Sequence, residues 1–184
     1  MQEISLNILD VTQNSITAGA SLIGIDVVTR GSKLTVEIRD DGCGMTEEQA
    51  ANVTDPFYTT RTTRRVGLGI PFFKMAAEMT GGSFSLRSQK GVGTTVTAVF
   101  DTSNIDCMPL GDIGETIFLL VTQNECDFVY HREIDGRSFT LDTRELREIL
   151  GGIPLSQPEV AAFVKEYIAE NSPDGREITE REIR

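Results

Sequence analysis

The chain contains the run Asp40-Asp41-Gly42-Cys43-Gly44, which directly follows an apolar, β-branched stretch over residues 34–39. The stretch predicts a strand. Glycines after it let the backbone turn and approach a ligand without a Cβ. Alone, such a run could be an ordinary loop, but its position at the end of a strand favours a binding site.

Three other motifs accompany this run in a fixed order within the first hundred residues. They are Asp10-x-x-x-Asn14 followed by Ala18-Gly19-Ala20, then Gly67-Leu68-Gly69, then Gly91-Val92-Gly93-Thr94. The motif of Asp10 and Asn14 lies on a predicted helix over residues 2–18, and the motif Gly67-Leu68-Gly69 opens a predicted helix over residues 68–79. No single motif is specific, whereas four in this order are.

The composition predicts a folded cytosolic protein. Hydrophobic residues make up 39% of the chain, enough for a packed core. The longest aliphatic run, Ile117–Val121, is too short to span a bilayer, and no signal-peptide pattern follows Met1. The three cysteines lack metal-ligand spacing, so we expect free thiols in a reducing compartment.

Charge divides the chain into two parts. Residues 1–100 hold 10 acidic and 9 basic side chains, whereas residues 101–184 hold 18 and 8. A strongly acidic surface repels nucleic acid and anionic membranes. We therefore expect neither as a partner, and we expect the acidic part to contact a protein.

The patterning predicts an α+β fold with a boundary in the polar, Pro- and Gly-containing stretch 101–114. Before the boundary, the predicted strands cover residues 22–29, 34–39, 83–88 and 94–100. After it, strands are predicted at 116–122, 128–132 and 138–141, followed by two helices with capping-box spacing from Asp142 and Ser156. The predicted domains are thus 1–102 and a small acidic βββαα appendage, 103–184, and we expect the first to fold and bind its ligand alone.

Over about residues 2–100 the motifs resemble those of the GHKL ATPase superfamily, which includes histidine-kinase ATP domains, anti-sigma-factor kinases and mismatch-repair ATPases. The segment Asp10–Ser21 is similar to the mismatch-repair N-box, whereas Asp55–Arg61 and Gly67–Lys74 are similar to the histidine-kinase lid and G2 box. The resemblance implies a two-layer α/β sandwich, with a mixed sheet covered by helices on one face. It also implies ATP and Mg²⁺ as ligands.

The resemblance assigns adenine to the Asp40–Gly44 motif and magnesium to the motif of Asp10 and Asn14. Asp40 would accept a hydrogen bond from the adenine amino group, and it would meet a carbonyl in guanine. Gly42 and Gly44 would let the backbone approach the ring. Asn14 would ligate Mg²⁺ through its side-chain carbonyl. Asp10, one turn earlier on the same helix face, stands where hydrolysing relatives carry a glutamate base; it would act as the base or only order water.

The same resemblance assigns phosphate contacts to the later motifs. Gly67, Leu68 and Gly69 would present backbone donors at a helix N-terminus. Of the three loop arginines Arg61, Arg64 and Arg65, we expect one to contact phosphate, with Arg61 as the candidate. Lys74 and Thr94 match family positions, the latter supporting the floor of the site. The alternatives are a surface lysine and an ordinary strand threonine.

Two classes of function fit these features. The first is a soluble protein kinase or ATPase that acts on a partner protein in trans. The second is a catalytically weak switch, in which ATP orders the lid and exposes a binding surface. A complete sensor kinase is disfavoured because the one histidine, His131, lies in a predicted hairpin. A mismatch-repair enzyme is disfavoured because residues 101–184 lack a basic surface.

Overall fold

Alternating apolar and polar residues give the sheet of this protein one buried and one open face. The computed structural model describes residues 3–55 and 68–174, and within them six strands form one sheet in the order β3-β4-β2-β1-β5-β6. The strands are β1 Leu22–Arg30, β2 Lys33–Asp40, β3 Ser83–Gln89, β4 Gly93–Asp101, β5 Asp127–Ile134 and β6 Arg137–Asp142. The first four include every strand predicted before residue 101.

Helices cover the buried face and complete a two-layer α+β fold. They are α1 Ile4–Thr17, α2 Glu47–Asn52, α3 Gly69–Met79, α4 Ile113–Gln123, α5 Thr143–Ile149 and α6 Pro158–Asn171. The strands bury every second residue beneath them, as Ile23, Ile25 and Val27 do in β1. The predicted mixed sheet with helices on one face is therefore confirmed. Within the described ranges, no helix is long and apolar enough to cross a membrane.

The predicted strand over residues 116–122 is wrong, because this segment lies within α4. Its buried positions include Ile113, Thr116, Ile117 and Leu120, which is helical rather than alternating spacing. The Asp112 carboxylate caps the helix by accepting a hydrogen bond from the Glu115 amide at 2.8 Å. The β-branched residues favoured a strand locally, but the packing of one helical stripe decides the outcome. The region after residue 102 is thus αββαα rather than βββαα.

The two caps predicted for the last helices have different outcomes. Asp142 caps α5 by accepting a hydrogen bond from the Arg144 amide at 2.9 Å, as predicted for this residue. Ser156 is not a cap, because α6 begins at Pro158 with Gln157 as its N-cap residue. Proline is favoured in the first turn, since its fixed φ suits the helix and no intrahelical donor is lost there.

The sheet and the core both continue across the predicted boundary at residue 102. Strand β5 pairs in parallel with β1, from Leu22 opposite Asp127 to Thr29 opposite Ile134. At the start of α1, the Ile4 and Ser5 amides donate to the carbonyls of Pro109 and Leu110. The division into 1–102 and 103–184 stays a prediction about independent folding, and the shared sheet defines what a truncation would remove.

Candidate functional site

The loop after β2 is held between the end of α1 and the β3–β4 hairpin. The Cys43 amide donates to the Ala18 carbonyl at 3.0 Å, and the Cys43 carbonyl accepts from the Gly91 amide at 2.7 Å. Three of the four sequence motifs therefore meet in one place, which we call the junction. It consists of residues 18–20 at the end of the first helix, residues 40–44 of the Asp-x-Gly-x-Gly run and residues 91–94 of the last glycine motif.

Asp40, the last residue of β2, points its carboxylate into this junction. Its Oδ2 accepts from the Ser15 hydroxyl at 2.6 Å, and its Oδ1 accepts from the amides of Gly42 at 2.9 Å and Thr94 at 3.3 Å. A carboxylate offers about four lone-pair sites. The three donors found among residues 3–55 and 68–174 therefore leave one acceptor position, which lies on Oδ2. The half-buried Asp40 can thus accept one further N–H group.

Glycines allow the close approach of backbones around this carboxylate. A Cβ on Gly44, whose φ is +62°, would lie 2.0 Å from the Gln89 carbonyl oxygen. A Cβ on Gly93 would lie 1.9 Å from the Asp40 carbonyl oxygen. Gly42 is nearly as confined, since a Cβ there would lie 2.9 Å from the Ala18 Cβ. The pattern Asp-x-Gly-x-Gly is therefore a packing requirement of this junction.

Asp41 fastens the same loop to the start of β1. Its carboxylate accepts from the Ser21 hydroxyl, from the Ser21 amide at 2.7 Å and from the Leu22 amide at 2.9 Å. These hydrogen bonds, that from the Ser21 side chain first, lower the pKa of the Asp41 carboxyl below its usual value. The sequence motifs assign Asp41 no role. Its hydrogen bonds orient the loop.

The helix carrying Asp10 and Asn14 packs against the helix that begins at Gly69. A Cβ on Gly69 would lie 3.1 Å from the Asp10 Cβ. Asp10 is exposed and Asn14 is half-buried, and no hydrogen bond engages the Asn14 side-chain amide within the described ranges. Its carbonyl oxygen is thus available to a hard cation. The first turn of α3 brings the backbone of Leu68 and Gly69 next to the N-box helix.

Of the other residues predicted for the site, Thr94 lies in the junction and Lys74 lies apart from it. Thr94 lies in the junction, where its hydroxyl is 2.8 Å from that of Ser88, and Ser88 also accepts from the Met45 amide at 2.9 Å. Lys74 instead lines a separate surface groove with Thr54, Phe72 and four other residues, none of which belongs to the junction. Arg61, Arg64, Arg65 and Gly67 lie outside the described residues.

Ser15 is a site residue that the sequence motifs do not reveal. It occupies an inward-facing position of α1 and is 5% exposed. By its spacing it belongs to the apolar stripe of the helix. A polar residue in a buried stripe needs a partner, and this requirement is the available signal. The sequence does not reveal the contacts of Ser88 with Met45 and Thr94 either, because Ser88 reads as an ordinary strand residue.

Comparison with known proteins identifies the family of the chain. The family model described as histidine kinase-, DNA gyrase B-, and HSP90-like ATPase matches residues 1–104. The chain is 32% identical over 93 residues to sporulation kinase B of Bacillus subtilis, covering 49% of this chain and 22% of that protein. It is 25% identical over 107 residues to a putative sensor protein of Shewanella frigidimarina, covering 58% and 16%. The chain thus spans about a fifth of the length of these relatives.

Two solved structures share the fold. The Aquifex aeolicus MutL ATPase domain complexed with ADP superposes with a TM-score of 0.53 at 14% identity, covering 82% of this chain and 70% of that one. The N-terminal domain of a DNA repair protein gives 0.54 at 14% identity, covering 77% and 53%. Because 82% exceeds the share matched by the family model, the common fold extends past residue 104. The chain therefore belongs to the histidine kinase-, DNA gyrase B- and HSP90-like ATPase family, and its motif-bearing part is an ATP-binding domain of the histidine-kinase-like type.

Proposed function

We propose that this protein binds ATP with Mg²⁺ and acts on a partner protein in trans, as a protein kinase or an ATPase. The observation that carries the proposal is the one acceptor position on Asp40 that the described residues leave unoccupied, in a loop whose shape the closely packed glycines fix. An amino group on a planar ring satisfies that acceptor, whereas a ring carbonyl in the same place repels it.

We assign magnesium and the phosphates to other residues of the sequence motifs. The Asn14 carbonyl would hold Mg²⁺, which when bound neutralises phosphate charge. Backbone amides of Leu68 and Gly69 in the first turn of α3 would contact phosphate, together with Gly67 and one arginine of residues 61–65, Arg61 being the candidate. A phosphate contact by Lys74 has less support, because Lys74 lines a surface groove that is separate from the junction.

A thermal-shift experiment tests the nucleotide. ATP with Mg²⁺ should stabilise the chain by about 2.7 kcal/mol at a hundredfold excess over the dissociation constant, and GTP much less. Asp40→Asn should abolish the shift, since its amide turns an acceptor into a donor, and Asn14→Ala should remove the dependence on Mg²⁺. Equal shifts with ATP and GTP would contradict the adenine assignment.

Asp10 is the proposed general base for water or for an acceptor hydroxyl. It is exposed and adjoins the start of α3, so a group held at that helix end would be near it. Asp10→Asn should preserve ATP binding and slow turnover by roughly a hundredfold or more. Unchanged turnover would remove Asp10 from the chemistry.

A nucleotide-dependent switch is the second candidate. The contact between Asp10 and Gly69 supports it, because a ligand bound by both α1 and α3 would couple the two helices. Incubation with γ-labelled ATP separates the candidates. Phosphate release indicates an ATPase, a labelled foreign protein a kinase, and neither outcome a switch.

We propose that the partner contacts the acidic C-terminal part and that the protein acts in the cytosol. On α6 the exposed Phe163 lies among Glu159, Glu166 and Glu170, and the neighbouring Lys165 is already paired with Glu115 at 2.8 Å. This surface suits a segment with an apolar and several basic side chains. Glu166→Lys should weaken labelling of the partner and leave ATP binding unchanged. The free thiols of Cys43, Cys107 and Cys126 are consistent with a reducing compartment.

A further inference from the structure

We propose that Ser15 is a positioning residue for nucleotide selection: its hydroxyl directs the one free acceptor of Asp40 toward the exocyclic amino group of adenine. The inference rests on the proposed function, in which Asp40 binds adenine, and adds a residue that acts through Asp40. The observation behind it is the 2.6 Å hydrogen bond from Ser15 Oγ to Asp40 Oδ2.

The two carboxylate oxygens of Asp40 have different surroundings. Oδ1 accepts from two backbone amides, those of Gly42 and Thr94, so its two lone-pair sites are occupied. Among the residues that the structure describes, only Ser15 donates to Oδ2. The ligand and Ser15 must therefore share Oδ2, and the direction in which Ser15 approaches decides which side of this oxygen remains open.

The hydrogen bond from Ser15 to Asp40 differs from those that serines in helices usually make. Serine hydroxyls within helices commonly donate to the carbonyl four residues earlier or point to solvent. Ser15 is 5% exposed and instead bonds across the structure to the end of β2, 25 positions along the sequence. Ser5 on the same helix is equally buried, at 1% exposure, yet its only side-chain bond within the described ranges is a long one of 3.4 Å to Glu3. Ser5 therefore provides a matched control.

Loss of the Ser15 hydroxyl would change selectivity more than it changes folding. In Ser15→Ala, Oδ2 would have two open lone-pair sites, and water or a shifted ring could use either one. The backbone donors of Gly42 and Thr94 would still hold Oδ1, so the carboxylate would stay in the site. The advantage of a ligand with an exocyclic amino group should then fall, whereas contacts to ribose and phosphates should not change.

The test compares ATP with purine riboside triphosphate, which lacks the exocyclic amino group, by calorimetric titration of the full 184-residue chain in the presence of Mg²⁺. Wild-type protein and Ser5→Ala should prefer ATP by roughly tenfold or more. Ser15→Ala should lose most of this preference through weaker ATP binding, with affinity for purine riboside triphosphate unchanged within about twofold. Because the ratio is measured within one variant, a small general loss of stability does not affect it.

Two outcomes would overturn the inference, and they are distinguishable. If Ser15→Ala keeps the wild-type ratio, Ser15 does not act through Asp40 while the adenine assignment survives. If wild-type protein binds both triphosphates equally, or binds neither, the proposed contact between Asp40 and adenine is itself wrong, and the role of Ser15 falls with it.

Discussion

Gly69, the first residue of α3, lies directly against Asp10 of α1, so that a Cβ at position 69 would be 3.1 Å from the Asp10 Cβ. The contact joins two motifs that are 59 positions apart in the sequence. It explains why a glycine is needed here although the backbone is helical: the requirement comes from the neighbouring helix and not from a special φ.

Gly69→Ala should therefore disturb Asp10 while changing overall stability little. The alanine favours the helix by up to about 1 kcal/mol, and this gain offsets part of the cost of the close contact. Displacement of the candidate base should slow ATP turnover by roughly tenfold, with a smaller change in ATP affinity. Gly114→Ala, in the first turn of α4, is the control, because the nearest atom to its Cβ would be at an ordinary 3.4 Å. Equal turnover in the two variants would contradict the prediction.

Gly44→Ala should destabilise the protein far more than Gly91→Ala. Both residues have positive φ, +62° and +79°, so each substitution costs about 1–2 kcal/mol of backbone strain. Only at position 44 would the Cβ overlap a backbone oxygen, that of Gln89, whereas at position 91 it would meet nothing within 4 Å. The expected loss for Gly44→Ala is about 3 kcal/mol or more, measured by urea unfolding, together with loss of ATP binding. Similar losses in the two variants would show that the overlap is relieved by movement of the hairpin.

The sequence was sufficient to predict the first four strands, α1, α3 and the carboxylate at the end of β2, because their signals are local. The alternation of apolar and polar residues places Ile23, Ile25 and Val27 on one face of β1. A strand followed by Asp-x-Gly-x-Gly indicates a loop in which the backbone packs too closely for side chains at the glycines. By contrast, α4 and the parallel pairing of β5 with β1 depend on contacts between distant segments. The Ser15–Asp40 bond could not be predicted either, since a buried serine on a helix has many potential partners.

The hydrogen bonds to Asp41 should make stability depend on pH in the acid range. Its pKa in the folded protein is lowered from 3.8, mainly by the Ser21 hydroxyl and then by the Leu22 amide. The contribution is therefore present above the unfolded pKa of 3.8 and is lost as pH falls through the lower pKa of the folded protein. The difference in unfolding free energy between wild type and Asp41→Asn should be constant above about pH 5 and shrink below pH 3.8. Ser21→Ala should reproduce part of this dependence. A difference independent of pH would contradict it.

The ion pair between Arg132 and Asp174 should be a main fastening of the end of α6 to the sheet. Arg132 is 3% exposed and donates to both Asp174 oxygens, at 2.9 and 2.7 Å. Asp174→Ala would leave a buried guanidinium without its anion, and we expect a loss of about 2–3 kcal/mol, because Asp174 is itself one-third exposed. Arg30→Ala, which breaks a surface pair with Glu133, should cost less than about 1 kcal/mol. Chemical unfolding of the two variants compares them, and equal losses would mean that the buried pair contributes no more than the exposed one.

A fragment of residues 1–102 should be less stable than the full chain but should still bind ATP. The truncation removes β5, so β1 becomes an unpaired edge strand, and it removes the carbonyls of Pro109 and Leu110 that the first amides of α1 use. The donors to Asp40 that the structure describes are Ser15, Gly42 and Thr94, and the fragment keeps them. A second fragment, residues 1–142, retains β5 and β6 and should recover much of the lost melting temperature. If the shorter fragment is insoluble or fails to bind ATP while the longer one binds it, β5 and α4 are part of the core that the site requires, and the division at residue 102 is wrong.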